Sequence, residues 1–353
     1  MENQNEKRLL AIIGTLLNLI IFLIVFIIAL GFFFYKYLPE YVPTVEEKKT
    51  ESGLITAEKT PTIAEDTVKY WQAPDATTLE AHKNKGLILY GKDIISNTAM
   101  YFGNKGKVFK ASTNGMNCQN CHLDAGTKIF GNNYSAVAST YPKFRARSGS
   151  MENIHKRVND CFERSLNGNA LDTASREMQG IVAYIKWLGK DVPKGVSPEG
   201  SGLKNMPFLD RAANPENGKN LYAQKCSNCH QAEGNGLMNS DNTAYTYPPL
   251  WGEHSYNDGA GLYRISNFAK YIKYNMPLGA SYSNTILTDE EVWDIAAYVN
   301  SQPRPHKNIK KDWPKIEAKP FDHPFGPYAD GFSEEQHKYG PYQPIKKKIE
   351  SMK

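Results

Sequence analysis

The sequence predicts an all-α fold: two small helical domains in tandem, preceded by an N-terminal apolar helix and followed by an irregular C-terminal tail. Three observations carry that reading. A pattern recurs, with Gly91-Lys92 ahead of one Cys-x-x-Cys-His run and Gly218-Lys219 ahead of another. Each block closes on a similar apolar core, Ile181-Val182-Ala183-Tyr184-Ile185 and Ile295-Ala296-Ala297-Tyr298-Val299. A breaker cluster, Pro193 to Gly202, separates the two blocks.

The length of 353 residues allows about two domains plus extras. Charged residues at 22% and aromatics at 12% exclude a disordered or collagen-like chain. The net charge of +5 is small for this length, and nucleic acid is not an expected partner. Mean hydropathy is −0.54 despite one intensely apolar segment, so the remainder is polar. A large apolar cofactor would complete the cores of such a chain.

That apolar segment runs from Leu9 to Tyr35, 27 residues without a charge. As a helix it is about 40 Å long, enough to cross a hydrocarbon layer of about 30 Å with some tilt. Lys7 and Arg8 precede it, which places the N-terminus in the cytoplasm and the rest outside. A cleaved signal peptide is the alternative, but its apolar region spans only about 7–15 residues and ends at a small-x-small site. None follows here, so residues 1–36 read as an uncleaved anchor. Residues 37–75 read as a polar tether. The two domains then cover 76–205 and 206–303, with the tail over 304–353.

In the first domain the closing helix has Met178, Ile181, Val182, Ile185 and Leu188 at helical spacing, with Gly189 as its stop. Its counterpart opens on a capping box, Thr288 and Glu291, and continues through Val292, Ile295, Ala296 and Val299. An insert, Asn97 to Asn117, precedes the first motif and is expected to form a short hairpin.

Cys118-Gln119-Asn120-Cys121-His122 and Cys226-Ser227-Asn228-Cys229-His230 are c-type haem attachment motifs. Two thiols three residues apart suit the two vinyl groups of one haem, and the adjacent His supplies an axial iron ligand. The two helical bodies are therefore cytochrome c-like, with two covalently bound haem c groups. A zinc ribbon needs two cysteine pairs at one metal, whereas here each pair has its own His and its own domain.

Each haem needs a sixth ligand or an open site. Met276, in Asn275-Met276-Pro277-Leu278-Gly279, lies 46 residues after His230 and is the candidate in the second domain. Met opposite His raises the potential and suits electron transfer. Met238 is the competing thioether. The first domain has no Met-Pro loop, and its Met151 and Met178 sit in helical patterns where Met is ordinarily core. Cys161, 39 residues after His122, falls on the apolar stripe of a helix expected over Glu152 to Asn167. An inert buried thiol is the alternative, but an unpaired Cys is unusual in an oxidising compartment. Cys161 is thus the expected axial thiolate of haem 1, which would set its potential below that of haem 2.

On a helix, Arg157, Arg164 and Ser165 share a face with Cys161. Lys143, Arg145 and Arg147 add cation upstream. A sulfur ligand set among arginines suits a small oxyanion. Pairing with haem propionates and a solvated face are the alternatives.

At this point the chain resembles the dihaem thiosulfate dehydrogenases, some of which also act as tetrathionate reductases. The resemblance covers roughly residues 80–345. It rests on the haem motifs, on the segment Arg157 to Gly168, on Asn275 to Gly279, and on tail segments Asp312-Trp313-Pro314, Gly326-Pro327-Tyr328 and Gln336 to Pro341. It implies His122/Cys161 ligation at haem 1, where substrate reacts, and His230/Met276 at haem 2. It also implies that Arg147, Arg157, Cys161 and Ser165 are active-site residues. Some members have Lys where Asn275 stands and switch ligands between Lys and Met, so no such switch is expected here. The anchor is a further variation and implies a cytochrome or membrane redox partner near the membrane. The implied reaction is 2 S₂O₃²⁻ ⇌ S₄O₆²⁻ + 2 e⁻, with a covalent thiosulfonate on Cys161. The competing readings are a tethered dihaem electron carrier and a sulfur-oxidation cytochrome acting on a carrier protein's thiol.

Overall fold

The computed structural model describes residues 2–37 and 69–352. Helix α1 (Glu2–Tyr37) belongs to a unit of its own, residues 1–65. Its stretch Ile12–Leu30 has 19 residues and a mean hydropathy of 3.0; it is long and apolar enough to cross a membrane, and none of it is buried. The tether expected over 37–75 falls mostly outside the described residues.

Residues 69–352 belong to a second compact unit. Its main helices are α2 (Lys85–Ser96), α3 (Ile154–Arg164), α4 (Arg176–Leu188), α5 (Pro215–Lys225), α6 (Ile265–Asn275) and α7 (Asp289–Ser301). The duplication has a physical basis in how these helices cross. A Cβ added at Gly91 of α2 would lie 1.9 Å from the carbonyl oxygen of Gly180 in α4. A Cβ added at Gly218 of α5 would lie 1.9 Å from the carbonyl oxygen of Asp294 in α7. The repeated Gly-Lys pair thus marks the point in each half where backbone meets backbone.

The second closing helix starts at the predicted Thr288, and the first opens on Ser175 and ends at the expected Gly189. The Ser175 hydroxyl accepts from the Met178 N–H. The Thr288–Glu291 box closes in both directions, at 2.7 and 3.2 Å. Each half has its own core. Phe102, Phe162, Met178 and Leu188 anchor the first; Tyr222, Trp293, Ile295 and Ala296 anchor the second; Leu262 packs against both. A fully buried large apolar side chain contributes about 1.5–3 kcal/mol. The buried Asp294 carboxylate ties the start of α5 to α7. It accepts from Arg211 at 2.8 and 3.0 Å, from the Asn214 N–H at 2.7 Å and from Asn217 Nδ2 at 2.8 Å.

Four local features depart from expectation. The helix carrying Cys161 is shorter than Glu152–Asn167. Glu152 belongs to a ribbon, Asn153 caps α3 by accepting from the Lys156 N–H, and Asn167 turns to φ +44°. The hairpin expected over Asn97–Asn117 does not form. Residues 98–102 are helical, and the following N–H groups fold back onto the carbonyls of Met100, Tyr101, Phe102 and Gly103. Two small antiparallel ribbons occur instead: β1 (Lys143–Arg145) with β2 (Ser150–Glu152), and β3 (Leu237–Met238) with β4 (Tyr245–Tyr247). Finally, the tail is irregular up to Ser333 but ends in α8 (Glu334–Tyr339) and α9 (Tyr342–Ser351). Only Tyr342 and Ile345 of α9 are buried, too few positions to produce a readable periodicity.

Candidate active site

The first motif sits on a short turn that begins at Asn117. The Asn120 N–H donates to the Asn117 carbonyl at 3.0 Å, and Asn120 Oδ1 accepts from the Asn117 N–H at 2.7 Å. Thr98 braces the first thiol, accepting from the Cys118 N–H at 3.0 Å and donating to Cys118 Sγ at 3.2 Å. His122 Nδ1 bonds the Asn132 carbonyl at 2.6 Å, and the ring stacks on Tyr134 at 4.5 Å. In the second motif His230 Nδ1 bonds the Pro248 carbonyl at 2.8 Å, and burial pushes this imidazole toward its neutral form. A backbone carbonyl on Nδ1 fixes the tautomer that leaves Nε2 to a metal.

A cavity of about 480 Å³ opens beside the first motif, lined by Cys118, Cys121, His122, Arg157, Cys161 and Ser165 among others. Two motif thiols, a histidine whose Nδ1 is held by a backbone carbonyl and an adjoining cavity fit a covalently held haem. Arg145, Arg147 and Arg164 line the same space. The structure therefore brings together every site residue read from the first domain.

Within this cavity the three sulfurs differ. Burial pushes the Cys118 and Cys121 thiols up to about 12. Burial also acts on Cys161, but the Arg157 guanidinium and a hydrogen bond with His122 outweigh it and bring this thiol down to about 7. Arg157 Nη1 donates to Cys161 Sγ at 3.2 Å. The Cys161 charge in turn holds the buried guanidinium protonated.

The arginines are not equivalent. Arg147 pairs with Asp160, which also takes Lys156. Arg164 makes a bidentate pair with Asp312, at 2.8 and 2.9 Å. Among the described residues, Arg145 and Arg157 make no ion pair with a carboxylate. The Ser165 residue caps the end of α3, and its hydroxyl has no hydrogen bond among the described residues. Met151 is 63% exposed and Met178 lies fully inside the core, so neither faces His122.

In the second half, Met276 caps α6 and packs with Cys226 against the second core. Met238 lies elsewhere, on β3 beside a small cavity lined by Asn104, Gly115 and His254. Asn275 is buried at 3% exposure, and its Nδ2 donates to the Phe130 carbonyl at 3.2 Å.

Sequence reasoning missed the contributions from outside the first domain. Arg264, which precedes α6, Lys270 of α6 and Trp313 of the tail also line the cavity. No local pattern marks the first two, because their proximity to Cys161 arises only from packing of the two halves. Trp313 stands in a segment the resemblance had singled out, without a role attached.

Residues 106–193 match the family model of the SoxA/TsdA cytochrome c domain, and residues 215–303 match that of cytochrome c. A thiosulfate dehydrogenase of Psychrobacter arcticus is 40% identical over 272 residues, 76% of this chain and 77% of that protein. The thiosulfate dehydrogenase of Allochromatium vinosum is 39% identical over 196 residues, 54% of this chain and 71% of that protein. That of Stutzerimonas stutzeri is 32% identical over 268 residues, 74% and 84% of the two chains. Among solved structures, thiosulfate dehydrogenase (TsdBA) from Marichromatium purpuratum in its as-isolated form aligns with a TM-score of 0.61 and 29% identity. That alignment covers 67% of this chain and 50% of the solved chain. With two tandem cytochrome c domains and relatives matched over most of their length, the chain belongs to the thiosulfate dehydrogenase family of dihaem c-type cytochromes.

Proposed function

We propose that the chain interconverts thiosulfate and tetrathionate in the Cys161 cavity, and that it carries two haem c groups. Cys118, Cys121, His122 and Cys161 would hold the first, the last two at its iron; Cys226, Cys229, His230 and Met276 would hold the second, again with the last two at its iron. The observation that carries this reading is the grouping of Cys161, Arg157 and His122 around one cavity. A plain electron carrier has no use for a thiolate paired with an arginine. The domain limits near residues 76, 205 and 303 belong to the same reading.

Bound there, haem supplies reversible one-electron transfer, and two haems accept both electrons of a turnover. The chain's own groups do the rest. Arg157 holds the sulfonate of an incoming thiosulfate and offsets repulsion between dianions. Arg147, Arg164 and Ser165 shape the wall and orient it. The Cys161 thiolate joins the outer sulfur of thiosulfate with loss of two electrons: Cys–S⁻ + S₂O₃²⁻ → Cys–S–S–SO₃⁻ + 2 e⁻. A second thiosulfate then attacks the sulfur bonded to the sulfonate. The new S–S bond completes tetrathionate, the bond to Cys161 breaks, and Cys161 leaves as thiolate. Run backwards, the same steps reduce tetrathionate.

The helix α1 suits a single-pass anchor in the cytoplasmic membrane, with the haem domains on the periplasmic side and a cytochrome or membrane redox partner nearby. The test is direct. Purified haem-loaded protein is given thiosulfate with an electron acceptor, then tetrathionate with a reductant. Turnover in both assays is expected; absence of both rejects the function in favour of an electron carrier.

A further inference from the structure

The ribbon that precedes α3 has two unlike faces. Phe144 and Met151 stand opposite each other across it and are 58% and 63% exposed. Side chains alternate along a strand, so Lys143 and Arg145, on either side of Phe144, take the other face. On that face Arg145 lines the Cys161 cavity.

Arg145 differs from every other arginine of the cavity. Arg147, Arg164 and Arg264 are paired with Asp160, Asp312 and Asp322. Arg157 donates to the Cys161 sulfur. The half-buried Arg145 side chain makes no hydrogen bond and no ion pair among the described residues. Its surroundings add to the imbalance. Lys143, on the same face, is pushed below the ordinary lysine value by burial and then by the Arg145 and Arg157 charges. Burial raises the Tyr141 phenol, and Arg157 and Arg145 both act against it. The two guanidiniums thus act on the same neighbours. Cations gathered in a cleft without a counter-charge repel one another and concentrate anions from solution.

The proposed reaction needs such a cation at its second step. The first thiosulfate is then bonded to Cys161, and Arg157 is committed to its sulfonate. The second step is Cys–S–S–SO₃⁻ + S₂O₃²⁻ → Cys–S⁻ + S₄O₆²⁻. One S–S bond forms, another breaks, and no electron or proton leaves the reacting groups. Two anions meet in this step, so the incoming one requires a positive group of its own. We propose that Arg145 is the substrate-binding residue for the second thiosulfate: its guanidinium takes that sulfonate, which is the distal sulfonate when tetrathionate is bound. This rests on the function proposed above, and it divides the two half-reactions between two arginines, Arg157 for the first and Arg145 for the second.

The test uses the full haem-loaded protein and follows Cys161 by mass spectrometry. The thiosulfonate forms by two routes: from thiosulfate with an electron acceptor, which is the first step, and from tetrathionate alone, which is the second step reversed. In Arg145→Gln the first route should keep its wild-type rate. The second should slow roughly ten- to a hundredfold, as for a lost charge-assisted contact. KM for tetrathionate should rise with it, and Arg145→Lys should recover part of the loss. Haem content and both midpoint potentials should match wild type, and the melting temperature should not fall, since a like charge is removed. Wild-type rates by both routes overturn the proposal. Equal slowing of both routes also overturns it, because Arg145 then acts as a general field. So does a shifted midpoint potential with both rates intact, since the guanidinium then serves the cofactor. Loss of haem or a lowered melting temperature marks a structural role and overturns it as well. Wild-type protein that forms no adduct by either route and turns over neither substrate removes the underlying function instead.

Discussion

Arg157 and Cys161 stand one turn apart on α3, and the Arg157 Nη1 donates to the Cys161 sulfur at 3.2 Å. The contact serves both partners. It stabilises the thiolate against burial, and it keeps a buried guanidinium charged where Arg147 and Arg164 spend their charge on Asp160 and Asp312. A thiolate and a charged guanidinium are thereby built into one helical turn. Replacing Cys161 therefore perturbs Arg157 as well, which matters for how variants are read.

The first prediction concerns ligation of haem 1. Wild-type protein should give a low-spin histidine/thiolate signal in electron paramagnetic resonance. Cys161→Ala should lose that signal while the histidine/methionine signal of haem 2 persists. An unchanged spectrum in the variant takes Cys161 off the iron.

The second concerns haem 2. Met276→Gly should lower its midpoint potential, because the thioether favours the ferrous state. Substrate binding at haem 1 should survive. Redox titration with both midpoints unmoved would transfer the role to another residue, with Met238 the next thioether to examine.

The third concerns stability and pH. Asp294 is buried and its pKa lies below the ordinary value. Burial opposes the shift, and the bonds from Arg211, Asn214 and Asn217 outweigh it. Asp294→Ala leaves those donors unmatched. Arg211 is 43% exposed and can turn to water, so the loss is that of a buried acceptor, about 1–3 kcal/mol. A depressed folded pKa gives stability that is present above the unfolded value of about 3.9 and lost as pH falls through the folded one. The gap in melting temperature between wild type and variant should be full at neutral pH and narrow in acid. A gap that widens in acid contradicts this.

The fourth concerns the helix crossings. Gly91→Ala and Gly218→Ala each place a methyl against a carbonyl oxygen of the partner helix. Overpacking of this kind costs about 1–3 kcal/mol. Thermal unfolding should show both variants destabilised by similar amounts. One strongly affected and one neutral would contradict the equivalence of the two halves.

Much of this was legible in the chain because it is written in local patterns. The haem motifs, the Thr288 box and the apolar stripes of α4 and α7 are short-range signals, and the structure places each as expected. That Cys161 shares a helix face with Arg157 was legible from their spacing. The pairing of arginines was not. Arg164 meets Asp312 across 148 positions, and no pattern around either residue forecasts the other. Arg264, Lys270 and Trp313 enter the cavity for the same long-range reason. The expected hairpin over Asn97–Asn117 failed because its N–H groups fold back onto nearby carbonyls, an alternative to a ladder that composition does not distinguish.

The most direct test is steady-state kinetics of wild type, Arg157→Ala and Arg157→Lys with thiosulfate and with tetrathionate. Arg157→Ala removes a charge-assisted contact and should lose roughly ten- to a hundredfold in kcat/KM. Its haem content should be normal, since neither the attachment cysteines nor the proposed iron ligands are replaced. Arg157→Lys should recover only part, because an ammonium cannot reproduce the planar fork. Wild-type activity in Arg157→Ala with normal haem spectra would contradict the account, because the Cys161 cavity would then bind its anion without Arg157.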